Sequence, residues 1–306
     1  MAKHVAVLMG GWSAEREVSL NSGNPCADAA ERKGYRVTRV DVARDVATVL
    51  QKLNPDAALN LLHGRPGEDG TLQGVLEVLG IPYSHSGVLA SAVAMQKDLA
   101  KVLMAGAGIP VPKGIIVARK DAAKDHPMAR PYVLKPIAEG SSVGVFIVTE
   151  DHDKPPQELY REDWKFGERL LCEQFIPGKE LTCAVVKGKA TGVIDIVSNA
   201  SRFYDYESKY APGGSTHIHP AQIPADIYEE VRRLTVAAHE ALGCRGVTRA
   251  DFRWDDTKGL AGLFCLEVNT QPGMTQTSLV PELAAHAGTP FDDLIAWMIE
   301  DASVDR

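Results

Sequence analysis

Cysteine is scarce in this sequence, and long apolar runs are absent. Five widely scattered cysteines, an odd number, are mostly set in apolar segments: Cys26, Cys172, Cys183, Cys244 and Cys265. No pair has zinc-ligand spacing, so reduced, buried thiols fit better than a disulfide framework. No stretch approaches the ~18 apolar residues that span a bilayer, and the first run, VAVLM, is too short for a signal-peptide core. We therefore expect a soluble, cytoplasmic protein with no membrane partner.

An excess of positive charge is also lacking. The chain has 33 Lys and Arg against 40 Asp and Glu, which gives a net charge of −7. Such a chain has no basic field to hold a polyanion, so we expect no nucleic-acid partner. The GxxxxGK(S/T) phosphate loop and the GxGxxG dinucleotide fingerprint are both missing. A mononucleotide, if bound, requires another kind of site.

Two or three packed domains are expected, because the chain has 306 residues of which 45% are hydrophobic. The first segment alternates β-rich runs such as HVAVLMG and DAALNLLHG with helical stretches. This alternation predicts a parallel sheet with crossover helices. Ligands of such sheets bind beyond the carboxyl ends of the strands, so residues 10–15 and 63–67 should face one crevice.

The pattern changes near residue 96. One helix, SAVAMQKDLAKVLMAGAGI, precedes four apparent strands with few helices between them: KGIIVA, YVLKPI, VFIVTE and LLCEQFI. These strands predict an antiparallel sheet in a second domain, and the alternation of strands and helices after residue 180 predicts a third, α+β unit. The predicted domains are residues 1–96, 97–183 and 184–306.

The loop at residues 201–220, SRFYDYESKYAPGGSTHIHP, is too long for an idle connection within a compact domain. Its length favours a lid. A disordered surface loop is the alternative, although the cluster of Tyr204, Tyr206 and Tyr210 argues against it. His217 and His219 in this loop have no third metal ligand nearby in the sequence, so we interpret them as ordinary polar residues of the loop.

The segments VTRADFRW and LFCLEVNT, joined by DDTKG, predict a β-hairpin. Residues two apart on a strand share a face, so Arg249 points with Asp251, and Glu267 with Asn269. Two carboxylates and an amide form an all-oxygen set that suits Mg²⁺. A surface hairpin with ordinary polar residues is the alternative.

The apolar neighbours of those polar residues argue against the surface alternative. Phe252, Leu266 and Val268 alternate with the polar positions and predict that the opposite face of the hairpin belongs to the core.

Lys135 ends a predicted strand and is followed by a Gly/Ser loop, in YVLKPIAEGSSVGVFIV. Amides of residues 140–144 are able to surround a phosphate, with the lysine as a point charge, although an ordinary hairpin turn is the alternative. Glu173 and Glu180 flank a strand end in LLCEQFIPGKE and have the chemistry to take the amino group of adenine and the hydroxyls of ribose. Solvated strand-end glutamates remain the alternative.

Glu15 and His63 follow the first and third predicted strands and therefore lie at the crevice. An acid at this position is able to hold an ammonium group, but a glutamate at a helix start is also common for reasons of the helix dipole. A histidine there is able to donate or accept a hydrogen bond, although many such histidines are structural.

Seven segments, taken together, carry a family resemblance: GGWSAEREVSL, LHGRPGEDGTLQGVLE, MQKDLAK, LKPIAEGSSVGV, FYDYESKY, RADF and LEVNTQPGMTQTSLVP. Over essentially its whole length the chain resembles the D-alanine-D-alanine ligases of the ATP-grasp superfamily. The resemblance implies an ATP-grasp fold of the α/β and α+β classes: a Rossmann-like parallel-sheet domain followed by two α+β domains that grip ATP. A homodimer is a further expectation from the resemblance.

The resemblance also implies a role for particular residues. ATP would be held by Lys97, Lys135, Glu173, Gln174, Ile176 and Glu180, and two Mg²⁺ (or Mn²⁺) ions by Asp251, Glu267 and Asn269. The implied catalytic residues are Glu15, Ser141, Tyr210, Arg249 and Gly273, and the implied substrate-binding residues are His63, Lys209, Ser278 and Leu279.

In the implied reaction, ATP phosphorylates the carboxylate of the first D-alanine, and the amine of the second attacks the acyl phosphate to give the dipeptide used in peptidoglycan. The nearest alternative uses D-lactate as second substrate, but Tyr210 favours D-alanine. Another ATP-grasp carboxylate-amine ligase is disfavoured by GGWSAEREVSL. A binding protein without catalysis should lack a metal carboxylate or Arg249, and this chain has them all.

Overall fold

The computed structural model describes residues 2–140, 143–198, 214–275 and 277–305. Three of the predicted site residues, Ser141, Lys209 and Tyr210, lie outside the described residues, as does most of the predicted lid. Within the described residues, three β-sheets are connected and covered by helices, and no helix there is long and apolar enough to cross a membrane.

The first sheet is parallel, in the order β2-β1-β3. Its strands are β1 (His4–Gly10), β2 (Arg36–Val42) and β3 (Ala57–Asn60), and its helices are α1 (Arg16–Arg32), α2 (Val46–Leu53), α3 (Thr71–Leu79) and α4 (Val88–Met95). Every residue of β1 is buried because helices cover both faces of the sheet, which explains the continuous apolar run in the sequence. The predicted parallel sheet is confirmed.

The helix predicted to run through residue 96 is two helices. It breaks at Gln96, whose backbone is extended, and α5 begins at the next residue (Lys97–Gly106). The prediction of one helix is wrong because the first amide of α5, on Lys97, donates instead to the carbonyl of Ile137, at 3.0 Å. This contact fastens the start of α5 to the loop that follows the strand of Lys135.

The second sheet is antiparallel, as predicted, and its strand order is β4-β7-β5-β6. Its strands are β4 (Gly114–Ala118), β5 (Tyr132–Pro136), β6 (Phe146–Val148) and β7 (Arg169–Gln174). A short helix that the sequence analysis did not predict, α6 (Arg119–Lys124), and a 3-10 helix at Gln157–Tyr160 cover one side. Their core includes Tyr132, Leu134 and Leu170.

The third sheet has five antiparallel strands, in the order β10-β9-β8-β11-β12. They are β8 (Lys179–Val186), β9 (Lys189–Ser198), β10 (Ser215–Ile218), β11 (Thr248–Trp254) and β12 (Leu263–Asn269), accompanied by α7 (Ala225–Ala241), α8 (Leu279–His286) and α9 (Phe291–Glu300). The predicted domain boundary after residue 183 falls inside β8, and the division into three domains remains a prediction.

Shared cores join the sheets. One core combines Val7 and Met9 of β1 with Ile194 of β9 and Val280 of α8. A second combines α4 and α5 with the α7 side of the five-stranded sheet, around Phe252. The loops after β1 and β3, the end of the β11-β12 hairpin and the start of α8 therefore converge on one region.

Candidate active site

The β11-β12 hairpin is present as predicted, and its polar side chains meet. Arg249 lies opposite Asn269, and Asp251 lies opposite Glu267. The Arg249 guanidinium donates two hydrogen bonds to Asp251, at 2.8 and 2.7 Å, and the Asn269 amide donates to the same carboxylate at 3.0 Å. Thr182 of β8 adds a hydroxyl donor at 2.7 Å. The Asp251 carboxylate is therefore fixed from three strands.

Leu266 is the exception on this hairpin. A β-bulge lies between Asp251 and Phe252, so that Glu267 and Cys265 pair with consecutive residues and Leu266 is the extra one. The buried residues of this stretch are Cys265 and Val268, whereas Leu266 lines a cavity together with Glu267. The prediction that Leu266 marks the core is wrong because a bulge interrupts the alternation of faces.

The first of two neighbouring cavities, here called the inter-sheet cavity, lies between the four-stranded and five-stranded sheets. All six residues that the sequence assigned to ATP line it: Lys97, Lys135, Glu173, Gln174, Ile176 and Glu180. Apolar side chains supply much of the remaining wall: Val133, Ile147, Phe175 and Leu266. Asp251 and Glu267 stand at the same cavity. The cavity thus combines an apolar slot with positive and negative groups.

Strand register explains how the charged groups reach this cavity. Lys135 lies opposite Leu171, so Glu173, two residues along β7, shares its face and forms an ion pair with it. The Lys97 ammonium lies 3.3 Å from Glu267 and donates to the carbonyl of Glu139 at 2.7 Å. The start of α5 therefore connects the hairpin with the loop before the Gly/Ser segment.

Two charged residues were missed by the sequence analysis: Arg253, which lines the cavity, and Lys101, which lies behind its wall. Lys101 of α5 pairs with Glu173 at 3.0 Å, and Arg253, opposite Glu180 on β8, pairs with it at 3.4 Å. The only signals in the sequence were the i, i+4 spacing of Lys101 from Lys97 and the two-residue spacing of Arg253 from Asp251. Burial lowers the pKa of Arg253, but a guanidinium stays protonated in proteins.

The second cavity, here called the substrate crevice, lies beyond the ends of β1 and β3. Every described residue that the sequence assigned to catalysis or to substrate binding lines it: Glu15, His63, Arg249, Gly273, Ser278 and Leu279. Gly140 and Glu267 line both cavities, so the two spaces meet there. A group bound in one cavity is therefore adjacent to a group bound in the other.

His63 is held by its neighbours. Its Nδ1 lies 3.2 Å from Glu68 and its Nε2 lies 3.4 Å from the Ser22 hydroxyl. Glu68 also lines the crevice but was not singled out from the sequence. A buried imidazole with a carboxylate on one nitrogen keeps a defined orientation.

The start of α8 forms the opposite wall of the crevice. Ser278 is its N-cap residue, and its hydroxyl accepts a hydrogen bond from the amide of Thr275 at 3.0 Å. A side chain at Gly273 would come within 3.0 Å of that hydroxyl, so glycine is what permits the close approach. Helix N-termini with free amides attract anions, which suits a carboxylate.

Gln271 ties this wall to the first sheet and was also missed. Its side-chain oxygen accepts from Asn60 at 2.7 Å, and its amide donates to the carbonyl of Leu62. Both side chains are buried. The turn that carries Asn269 and Gly273 is therefore fixed to the end of β3, which carries His63.

His217 and His219 were interpreted as polar residues of a loop, but His217 lies in β10 and His219 directly follows it, and both lie against α8. His217 pairs with Glu282 at 2.7 Å, and the ring of His219 stacks on His286 with centroids 3.9 Å apart. They attach β10 to the helix that begins at the crevice. Among the described residues, no group of three or more His, Cys, Asp or Glu is arranged to hold a metal ion, and all five cysteines are buried and free.

Comparisons with known proteins identify the family. Two family models match: D-ala D-ala ligase N-terminus over residues 43–86 and D-ala D-ala ligase C-terminus over residues 103–300. The chain is 70% identical over 305 residues to a D-alanine-D-alanine ligase of Rhodopseudomonas palustris (strain BisB18), covering 99% of each chain. The chain belongs to the D-alanine-D-alanine ligase family.

Other members of this family agree over the same length. A D-alanine-D-alanine ligase of Afipia carboxidovorans is 68% identical over 305 residues, with 99% of each chain covered. The crystal structure of the Bacillus anthracis ligase matches with a TM-score of 0.82 at 34% identity, covering 98% of this chain and 97% of that one. A structure of the Bacillus anthracis enzyme complexed with ATP matches at 0.80 and 33% identity. The ATP-grasp fold predicted for this chain is thereby confirmed.

Proposed function

We propose that the chain uses ATP to join two D-alanine molecules into D-alanyl-D-alanine, the dipeptide that bacteria build into peptidoglycan. The observation that carries the proposal is the meeting of the two cavities at Gly140 and Glu267. A nucleotide in the inter-sheet cavity then presents its terminal phosphate to an amino acid in the substrate crevice. The full-length likeness to D-alanine-D-alanine ligases supports this function, and the need for ATP supports a cytoplasmic location.

Two parts of the inter-sheet cavity would hold the nucleotide. Lys97 and Lys135 would balance the phosphates, because both line the cavity and the Lys97 ammonium lies 3.3 Å from Glu267, where the two cavities meet. Glu173, Gln174, Ile176 and Glu180 would hold the adenosine between apolar side chains. Every one of these side chains is positioned by β5, by β7 and the loop that follows it, by β8 or by the start of α5.

The hairpin fits two Mg²⁺ or Mn²⁺ ions held by Asp251, Glu267 and Asn269. Its candidate ligand atoms are all oxygens, and Asp251 and Glu267 both line the cavity. Arg249 and Lys97 pair with these carboxylates and would share them with the ions. Because the side chains of Asp251, Glu267 and Asn269 do not fill the coordination of two ions, phosphate oxygens would complete it. When bound, the ions would neutralise charge on the transferring phosphoryl group.

In the first step, the carboxylate of one D-alanine attacks the γ-phosphate of ATP, which gives an acyl phosphate and ADP. Glu15 would receive its ammonium group, with His63 beside it in the crevice. Lys97 and Lys135 would offset the charge that develops on the phosphate. The family resemblance adds a hydrogen-bonded trio of Glu15, Ser141 and Tyr210.

In the second step, the free amine of another D-alanine attacks the acyl carbon and inorganic phosphate leaves. Ser278 and the amide of Leu279 would hold the carboxylate of this D-alanine at the start of α8, together with Lys209. The Arg249 guanidinium and the amide of Gly273 would stabilise the tetrahedral oxyanion. Both line the crevice.

Phosphate release from ATP tests this function when D-alanine, L-alanine and D-lactate are offered singly and in pairs. We expect rapid release and D-alanyl-D-alanine with D-alanine alone, and little release with L-alanine. A depsipeptide as the main product of mixed D-alanine and D-lactate near neutral pH would favour the alternative depsipeptide ligase. No product from D-alanine would overturn the proposal.

A homodimer is supported by exposed apolar side chains on three helices that pack in succession, α3 against α4 and α4 against α5. Val78, Leu89 and Val102 are 88, 75 and 68% exposed, and exposed apolar patches commonly mark interfaces. We expect a dimer in analytical ultracentrifugation, and a monomer after Leu89→Glu combined with Val102→Glu. A monomeric parent protein at micromolar concentration would contradict this assignment.

A further inference from the structure

A carboxylate lies between two lysines beside the inter-sheet cavity. The Lys101 ammonium lies 3.0 Å from Oε2 of Glu173, and the Lys135 ammonium bonds Oε1. The side chains of Lys101, Glu173 and Lys135 are only 8, 3 and 9% exposed. Burying a single unpaired charge this deeply is costly, so each of the three depends on the others.

The three residues stand at different depths. Glu173 and Lys135 line the cavity, whereas Lys101 does not and lies behind the carboxylate on α5. Lys101 therefore acts on anything bound in the cavity through Glu173. Apolar side chains beside the carboxylate, Val133 and Phe175, form a slot suited to a flat base.

The protonation state of Glu173 decides which purine substituents it is able to hydrogen-bond. An ionised carboxylate only accepts hydrogen bonds. Oε1 pairs with Lys135, whereas Oε2 forms an ion pair with Lys101 and has no hydrogen-bond partner among the described residues, so the carboxylate keeps acceptor capacity. A 6-amino group on a purine donates to such an oxygen, while a 6-oxo group is repelled by it. A protonated carboxyl would donate to the 6-oxo group, and the distinction would be lost.

Two opposing effects act on that protonation. Burial alone would raise the pKa of Glu173, but Lys135 and then Lys101 hold it below its ordinary value. Lys135 also faces the cavity, where the proposed function gives it phosphate to bind. Lys101 does not bind phosphate in this proposal, because it is buried behind Glu173 and does not line the cavity.

We propose that Lys101 is a positioning residue that fixes Glu173 as an acceptor and thereby sets the preference for a 6-aminopurine nucleotide over a 6-oxopurine nucleotide. This inference rests on the proposed function, because it places the nucleotide base beside Glu173. Lys97, one turn earlier on α5, pairs with Glu267 instead. One helix therefore supports the base end and the phosphate end of the cavity with separate lysines.

The test compares three nucleotides in the ligation assay with D-alanine. ATP carries a 6-amino group, inosine triphosphate a 6-oxo group, and purine riboside triphosphate neither. For Lys101→Met we expect the ratio of kcat/KM for ATP to that for inosine triphosphate to fall by about tenfold or more. Most of the change should lie in KM, with a smaller change in kcat at saturating ATP.

Two further variants act as controls. Lys101→Arg keeps a cation beside Glu173 and should restore most of the preference. Lys120→Met removes an exposed lysine from α6, the helix that covers the four-stranded sheet, and should keep the ratio of the parent protein. The kcat/KM for purine riboside triphosphate should fall least in Lys101→Met, because this nucleotide has no 6-substituent to hydrogen-bond with Glu173.

A double variant covers the case in which Lys101→Met folds poorly. Lys101→Met with Glu173→Gln removes one charge of each sign. The glutamine amide both donates and accepts hydrogen bonds, so the preference for ATP over inosine triphosphate should also fall. Nucleotide affinities measured without D-alanine give the ratio independently of ligation, so absence of dipeptide formation by the parent protein would be seen separately. An unchanged ratio in folded Lys101→Met, or equal loss with all three nucleotides, would overturn the proposal.

Discussion

The inter-sheet cavity and the substrate crevice are built by different means. Residues that alternate along β5, β7, β8, β11 and β12 form the walls of the first, and its charges are paired and largely buried. Loops after β1 and β3, the end of the hairpin and the start of α8 form the second. A flat base suits strand faces, whereas amino and carboxylate groups suit loop ends and a helix N-terminus.

This difference shows how one chain places nucleotide binding and the reaction of the amino acids in two separate regions. The cavity side depends mainly on which face each residue takes along its strand, and a period-two sequence pattern specifies that face. The crevice side depends on contacts between segments far apart in sequence, such as Asn60 with Gln271. Changes at Glu267 or Gly140, which line both cavities, should affect both regions, whereas changes at residues that line one cavity should affect that one.

Glu267→Gln should have the largest effect because Glu267 lines both regions. The substitution keeps the size of the side chain but removes a metal carboxylate, so phosphoryl transfer should fall by several orders of magnitude. The measurement is the rate of ADP formation across a magnesium titration. Glu229→Gln, on the exposed side of α7, is the control. Near-normal turnover at ordinary magnesium concentrations would remove Glu267 from the metal site.

Ser278→Ala should affect the crevice alone. The variant loses a hydroxyl at the start of α8, so KM for the second D-alanine should rise about tenfold. Initial rates over a wide range of D-alanine, analysed for two binding events, provide the measurement. KM for ATP should not change. A parallel rise in both constants would indicate damage to the fold rather than loss of a substrate contact.

Arg253→Met should affect the cavity alone. Arg253 donates to the carbonyls of Ile176 and Gly178, at 3.1 and 3.0 Å, and pairs with Glu180. Without it, the strand end that would hold the ribose loosens, and KM for ATP should rise about two- to tenfold with kcat little changed. Arg233→Met on α7 is the matched surface control. A change in KM for D-alanine instead would argue against this separation.

His239→Gln lies outside both regions and should change neither KM. Burial, with a smaller contribution from Arg245, lowers the pKa of His239 from 6.5 to about 4. Because the unfolded chain takes up this proton first, the free energy of unfolding of the parent should fall by up to about 3 kcal/mol as the pH drops from 6.5 to 4.

Urea unfolding at several pH values tests this prediction. The variant should lose less stability than the parent over that range and match its pH dependence above pH 7. Equal pH dependence in both proteins would show that His239 does not titrate in this way.

The sequence itself determined the class of fold and most of the cavity wall. Period-two alternation along RADF and LEVN places Arg249, Asp251, Glu267 and Asn269 on one face, whatever the rest of the chain does. The apolar runs of β1 and β3 likewise require a covered parallel sheet. The roles assigned to individual site residues remain predictions, as do Ser141, Lys209 and Tyr210.

Tertiary structure alone decided the remaining features. The bulge that turns Leu266 into the cavity depends on pairing across the hairpin, and the break at Gln96 and the position of Lys101 behind Glu173 each depend on a partner far away in sequence. Local patterns fix which face a residue takes within its own strand or helix. They do not fix which strand a helix packs against, because that is set by the burial and charge pairing of the whole assembled chain.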